Sequence, residues 1–207
     1  MTEYLKVNKK DFWEDKYIQN HMPWDIGQVA PAFVKYFKEQ QHGKVAVLGS
    51  GRGHDAFYLA NCNHSFDVHG FDFSEAAINF CNELRDKRNI DNIYFYLKDF
   101  FQIVKDKNWE NYFDYVVEHT SFCAIDPKRR EEYVNLIKYL LKPKGKLIGL
   151  FFMRQKELGG PPFGSTPKEI RQLFQYGFKE LEELHYEECL HDGKLNGEEY
   201  FAVFERS

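Results

Sequence analysis

The sequence predicts an α/β protein, a doubly wound, mostly parallel sheet of seven strands that ends in an antiparallel C-terminal hairpin. Three observations predict it. Short apolar runs alternate along the chain with segments of helical period. The first central run, residues 45–48, feeds a glycine-rich turn and then a helix. Near the C-terminus two runs of alternating apolar and polar residues are joined by a turn-rich segment.

Residues 45–48, Val-Ala-Val-Leu, are apolar and partly β-branched, which suits a strand buried on both faces. Gly49, Ser50, Gly51 and Gly53 break it, and residues 56–60 read as the first turns of a helix. Glycines at such a turn let backbone approach a ligand where a Cβ would collide. A dinucleotide site needs G-x-G-x-x-G, with the pyrophosphate on the helix N-terminus. Here His54 takes the third position and Asp55, next to it, would repel a pyrophosphate. Asp55 would not repel S-adenosylmethionine, which has no phosphate and carries an ammonium and a sulfonium.

Upstream, residues 11–17 form a short helix that sets Trp13 and Tyr17 on one face at i, i+4. Pro23 and Gly27 fix a bend around Trp24. These aromatics either pack an N-terminal helix on the domain or form a lid whose ring faces stabilise a sulfonium. Residues 30–40 have helical periodicity and lead into the central strand.

Residues 65–72 read as the second strand, ending in Asp72 about twenty residues beyond the glycine turn, where a carboxylate can accept both ribose hydroxyls of an adenosine. Phe73 follows, and Ser74 is the N-cap candidate of a helix over 75–87. The third strand, 92–97, leads to Asp99, which could accept from an adenine amino group, and Phe100, which could pack on the ring. The fourth strand, 112–119, emerges at Glu118, His119 and Thr120. A helix over 127–141, a turn at 142–145, a fifth strand over 145–152 and a helix over 167–176 follow. The hairpin comprises 178–188 and 198–204, joined by 191–197.

The chain has 207 residues, the size of one domain with a substantial core. Its net charge is −4 with basic residues scattered, so no nucleic-acid footprint is expected. No apolar run reaches the length of a membrane span, and the polar start lacks the apolar segment of a secretory signal. Cys62, Cys81, Cys123 and Cys189 have no metal spacing and read as reduced thiols; a cytoplasmic protein without a metal site is expected.

Over nearly its whole length the chain resembles class I S-adenosylmethionine-dependent methyltransferases, within them the thiopurine S-methyltransferase family, and most of all its halide/thiol methyltransferase branch. The resemblance rests on Trp13 with Tyr17, Pro-Trp-Asp-Ile-Gly at 23–27, Leu-Gly-Ser-Gly at 48–51 and Gly-Phe-Asp-Phe-Ser at 70–74. Asp-Phe-Phe at 99–101, Glu-His-Thr-Ser-Phe-Cys-Ala-Ile-Asp-Pro at 118–127 and Gly-Gly-Pro-Pro-Phe at 159–163 complete it. It implies a Rossmann-like methyltransferase domain over 1–207 with 1–40 as an N-terminal helical lid, and S-adenosylmethionine as cofactor. Trp13, Tyr17 and Trp24 would cover that cofactor, Gly49, Ser50 and Gly51 would meet its methionine end, and Asp72 with Phe73 its ribose. Asp99 and Phe100 would stand at the adenine, with Glu118 and His119 at the fourth strand end. The family places a cofactor contact at the position of His119, often Tyr in the halide/thiol branch or Arg in the thiopurine branch. The departure leaves the acceptor open.

The expected reaction is in-line transfer of a methyl group to a small soft nucleophile, a thiol, a thiopurine-like sulfur or a halide, by a monomer. His119 is the catalytic candidate, as a base toward a thiol or a group that orients the substrate; a histidine simply hydrogen-bonded at a strand end fits equally. Phe122, Phe152 and Phe163 either line an apolar pocket or belong to the core. An NAD(P)-dependent oxidoreductase and a non-catalytic S-adenosylmethionine-binding module are the alternatives.

Overall fold

In the computed structural model, which describes residues 6–62, 65–187 and 197–207, β1 (His42–Leu48) lies inside a seven-stranded sheet. The other strands are β2 (Ser65–Asp72), β3 (Ile93–Leu97), β4 (Phe113–His119), β5 (Leu141–Met153), β6 (Phe178–Glu187) and β7 (Glu198–Arg206). Their order is β3-β2-β1-β4-β5-β7-β6. Strands β1 to β5 run parallel, and β7 pairs antiparallel with β5 and β6. The chain leaves the β3 edge and returns to pair β4 with β1, so a crevice opens outside the carboxyl ends of β1, β2 and β4.

The sheet is covered on both faces because its central strands carry consecutive apolar residues, as at 45–48 and 147–153, while side chains alternate between the faces. Ala46 and Leu48 of β1 join one core with Val116, Phe71 and Tyr133. Val45 and Val47 join the other, with Val68, Val117, Phe33 and Phe57. The helices are α1 (Lys10–Ile18), α2 (Pro31–Phe37), α3 (His54–Asn61), α4 (Glu75–Arg88), α5 (Arg130–Leu140) and α6 (Pro167–Phe174). α2 and α3 lie on the second face, and α5 and α6 on the first.

Ser74 caps α4 as its sequence predicts, its hydroxyl accepting from the Ala77 N–H at 3.1 Å. Two expected boundaries shift. The helix expected from 127 opens with a 3₁₀ turn, Pro127–Arg129, because the Asp126 carboxylate accepts from the Lys128 N–H and tightens the entry. The turn expected at 142–145 lies inside β5 as a bulge. Pairing jumps from Phe113 opposite Leu141 to Tyr115 opposite Lys146, and Lys144 takes a φ of +67°. Cys189 and most of the expected hairpin turn lie outside the described residues.

α1 has no buried residue of its own. It is held by Glu14, whose carboxylate accepts from the Ser74 hydroxyl at 2.7 Å and the Ala76 N–H at 3.1 Å. A negative charge is favourable at the N-terminus of α4. Among the described residues no helix is long and apolar enough to cross a membrane.

Candidate active site

A cavity of about 300 Å³ opens at the carboxyl ends of the parallel strands, a size within the range of small-molecule sites. Its floor is the turn after β1. Gly49 and Gly51 hold φ of +62° and +53°, which a side chain rarely adopts, and a Cβ on Gly49 would run into the Ser121 hydroxyl. The Ser50 N–H donates to the Phe71 carbonyl at 3.0 Å, tying the turn to β2.

Asp72, at the end of β2, is 5% exposed and borders the cavity. One carboxylate oxygen accepts from the Gly51 N–H at 2.8 Å, the other from the Ser74 N–H at 2.9 Å. Burial pushes the carboxyl up, against the pull of the N–H donors of Ser74, Gly51 and Phe73. Asp72 is thus fixed in direction by backbone on both sides. Phe73 borders the same space.

The roof comes from the N-terminal segment. Trp24 meets Trp13 edge-on at 5.6 Å and Tyr17 at 6.0 Å, and all three border the cavity. The Trp13 indole N–H donates to the Val7 carbonyl at 2.9 Å. A Cβ built on Gly51 would stand 3.0 Å from the Tyr17 hydroxyl, so roof and floor are close here. Burial, and then the nearby Asp72 carboxylate, push the Tyr17 phenol well up. At the β3 end Asp99 accepts from the Phe101 N–H at 2.9 Å, which turns its carboxylate to the rim beside Phe100. Arg129 lies over the Phe101 ring at 3.5 Å on the same side of the cavity.

The opposite end holds His119. Its Nδ1 is 2.9 Å from Asp55 Oδ2 and its Nε2 3.4 Å from Glu199 Oε1. The antiparallel β7 explains Glu199: its first residues lie beside the last of β5, with Glu199 opposite Phe152. Burial alone would favour the neutral ring, but the carboxylates of Asp55 and Glu199 outweigh it and raise His119 to about 10. Thr120 follows at a φ of +65°, an uncommon conformation for a β-branched residue, and its hydroxyl donates to the His119 carbonyl at 2.6 Å.

The structure therefore brings to one cavity every residue expected at the site except Glu118. The Glu118 side chain is fully buried on the other face of the sheet, accepting from the Phe122 N–H at 2.7 Å and from the Tyr133 hydroxyl. Burial raises its carboxyl to about 7. Consecutive residues of a strand face opposite ways, and Glu118 turns with Val116 toward Tyr133 while His119 turns toward Phe33. Phe122, Phe152 and Phe163 are 1–2% exposed and belong to the core, not to a pocket wall.

Some groups were not foreseen. Asp25 borders the cavity with its carboxylate 2.9 Å from His54 Nε2 and accepting from the Gly27 N–H at 2.8 Å. That N–H contact within the Asp-Ile-Gly turn was the local signal for it. Asp55 was expected only to repel phosphate. It instead links the Ala30 N–H, at 3.0 Å, to His119. Glu14 and Glu199 carried no motif. Among the described residues no group of His, Cys, Asp and Glu side chains is placed to hold a metal ion.

The donor set suits S-adenosylmethionine. One cavity is bordered by two carboxylates held by backbone N–H groups, Asp72 and Asp99, and by the rings of Trp13, Tyr17 and Trp24, groups of the kind that accept from hydroxyls and attract a sulfonium. Together with the mostly parallel seven-stranded sheet, this defines an S-adenosylmethionine-dependent methyltransferase. The thiopurine S-methyltransferase family matches residues 8–206, and the chain belongs to that family. It is 32% identical to thiocyanate methyltransferase 1 of Brassica oleracea over 190 residues, 88% of this chain and 80% of that protein. It is 28% identical to the thiopurine S-methyltransferase of Vibrio campbellii, over 84% of each chain. Among solved structures, 1,6-didemethyltoxoflavin-N1-methyltransferase of Burkholderia thailandensis, with bound S-adenosylhomocysteine, shares the fold. Its TM-score is 0.76 at 17% identity, covering 99% of this chain and 89% of that one.

Proposed function

We propose that this enzyme methylates the sulfur of a small soft nucleophile, a thiol, a thiopurine-like thione or thiocyanate, with iodide as a further acceptor. The observation that carries the reading is one cavity bordered by Asp72 and Asp99, an adenosine-type pair of acids, and by Trp24, Cys123 and His119. Two relatives named for sulfur acceptors support it. When bound, S-adenosylmethionine supplies a methyl group already activated on a sulfonium. The chain's own residues therefore align, desolvate and hold. Asp72 fixes the ribose, and Asp99 and Phe100 the adenine. Trp13, Tyr17 and Trp24 close over the reacting centre from the N-terminal segment and exclude water. Cys123 is buried at the cavity wall, its thiol donating to the Thr120 carbonyl at 3.1 Å and pushed up by burial, so it stays protonated and does not compete as a nucleophile.

The enzyme works as a cytoplasmic monomer in this reading, and its cysteines need only remain reduced. Turnover with a panel of small thiols, a thiopurine, thiocyanate and iodide, read as S-adenosylhomocysteine formation, tests it. Activity on at least one sulfur acceptor is expected. A protein that binds the cofactor and methylates none of them contradicts it.

A further inference from the structure

A carboxylate stands at each ring nitrogen of His119, Asp55 hydrogen-bonded to Nδ1 at 2.9 Å and Glu199 at an ion-pair distance of 3.4 Å from Nε2. A neutral imidazole has one N–H, so one of its nitrogens would turn a lone pair toward a carboxylate. Only the imidazolium gives each carboxylate a donor. Neither acid is loose. The second oxygen of Asp55 accepts from the Ala30 N–H at 3.0 Å, and Glu199 is 2% exposed within β7. The charged groups facing the ring are Asp55 from α3 and Glu199 from β7; Glu118, on the opposite face of β4, interacts with it only through space. α2 contributes the apolar Phe33, edge-on at 5.5 Å.

We infer that Asp55 and Glu199 are positioning residues that keep His119 an imidazolium through the neutral range, so that it takes no proton from an acceptor and a thiol must reach the site already ionised. The inference concerns the acceptor end of the methyl-transfer site proposed above and rests on that reading for its kinetic arm alone. The thiol loses its proton to water before binding. The thiolate sulfur then forms the new carbon–sulfur bond with its own electron pair, and the pair of the broken methyl–sulfonium bond stays on the cofactor's sulfur. The elevated His119 value agrees with the geometry, since the ring would release its proton only near about pH 10.

The test begins with nitrogen-15 NMR of histidine-labelled protein, with the His119 signals assigned from their loss in His119→Gln. Two protonated ring nitrogens across neutral pH are expected. A neutral His119 at pH 7.5 overturns the inference whatever the enzyme's activity. In Glu199→Gln the His119 titration should fall by about one pH unit or more, the scale of a lost neighbouring carboxylate. An unmoved titration in a folded variant removes Glu199 from the clamp. The kinetic arm compares kcat/KM against pH for thiols of different pKa and for thiocyanate, which has no proton to lose. The inflection should follow each thiol's own pKa, with no such inflection for thiocyanate. One inflection shared by all thiols and abolished in His119→Gln would make His119 a base and sink the proposal. If no sulfur acceptor is turned over, the methyl-transfer reading fails and the NMR result alone decides this one.

Discussion

In the proposed reading, the cofactor end of the cavity aims its carboxylates with backbone N–H groups, whereas the acceptor end is assembled from the side chains of residues 55, 119 and 199. At the cofactor end Asp72 is aimed by the N–H of Gly51 and of its near neighbour Ser74, and Asp99 by that of Phe101. At the acceptor end one histidine is held by an acid from the start of α3 and another from the start of β7. Backbone N–H groups at the ends of the parallel strands make the first arrangement. The second depends on sheet order, because an antiparallel strand beside β5 brings Glu199 to the edge where β4 ends.

The sharpest break of that contrast is at Asp72. Asp72→Ala removes the ribose acceptor and frees two backbone N–H groups, and should weaken S-adenosylmethionine binding by about 1–3 kcal/mol, read by calorimetry on a variant with wild-type circular dichroism. Unchanged affinity would take Asp72 out of the site. At the roof, Trp24→Ala should cost S-adenosylmethionine about 0.5–2 kcal/mol more than S-adenosylhomocysteine, because cation–π attraction acts on the sulfonium and not on the thioether. Equal losses for the two ligands reduce Trp24 to packing.

Glu118 sharpens the contrast by lying outside both ends. Burial raises its carboxyl from an ordinary value of 4.5 to about 7 in the folded protein. The folded state holds this proton more tightly than the unfolded one, so the associated stability is full below about pH 4.5 and lost as pH rises to about 7. In Glu118→Gln the amide can accept from the Phe122 N–H and pair with the Tyr133 hydroxyl without charge. Its melting temperature should gain on the wild type between pH 5 and pH 7.5, with cofactor affinity unchanged. A matching pH dependence in both proteins removes the carboxyl as its source. The smallest effect is at Thr120. Thr120→Asn, which tolerates a positive φ better, should stabilise the protein by about 1 kcal/mol in denaturant unfolding. A destabilised variant would show the Thr120 hydroxyl bond to outweigh the strain.

The same division decides how much the sequence reveals. The order of strands and helices follows from apolar runs of strand length separated by helical periods. Asp72 and Asp99 follow from acids at strand ends, and Ser74 from its place before an acidic helix start. Glu118, at a strand end in the sequence, does not border the cavity in the structure. Parity with Val116, which faces the Tyr133 side of the sheet, would have turned it inward. Glu199 was missed for a related reason. It alternates in phase with Phe201 and Val203, so an acid occupied a core-facing position. That pattern was visible, but its partner was not, since nothing local to β7 points to His119. Asp55 was noticed for its charge, while its ring contact depends on the distance between α3 and β4 in the folded chain.

The measurement that bears most directly on the division is S-adenosylmethionine affinity in His119→Gln beside Asp72→Ala, by calorimetry at one neutral pH. If the two ends are separate, His119→Gln keeps its affinity to within about threefold, less than 1 kcal/mol, while Asp72→Ala falls by about tenfold or more. A His119→Gln variant that is folded and loses as much affinity as Asp72→Ala would contradict the account, because His119 would then belong to the cofactor's grip.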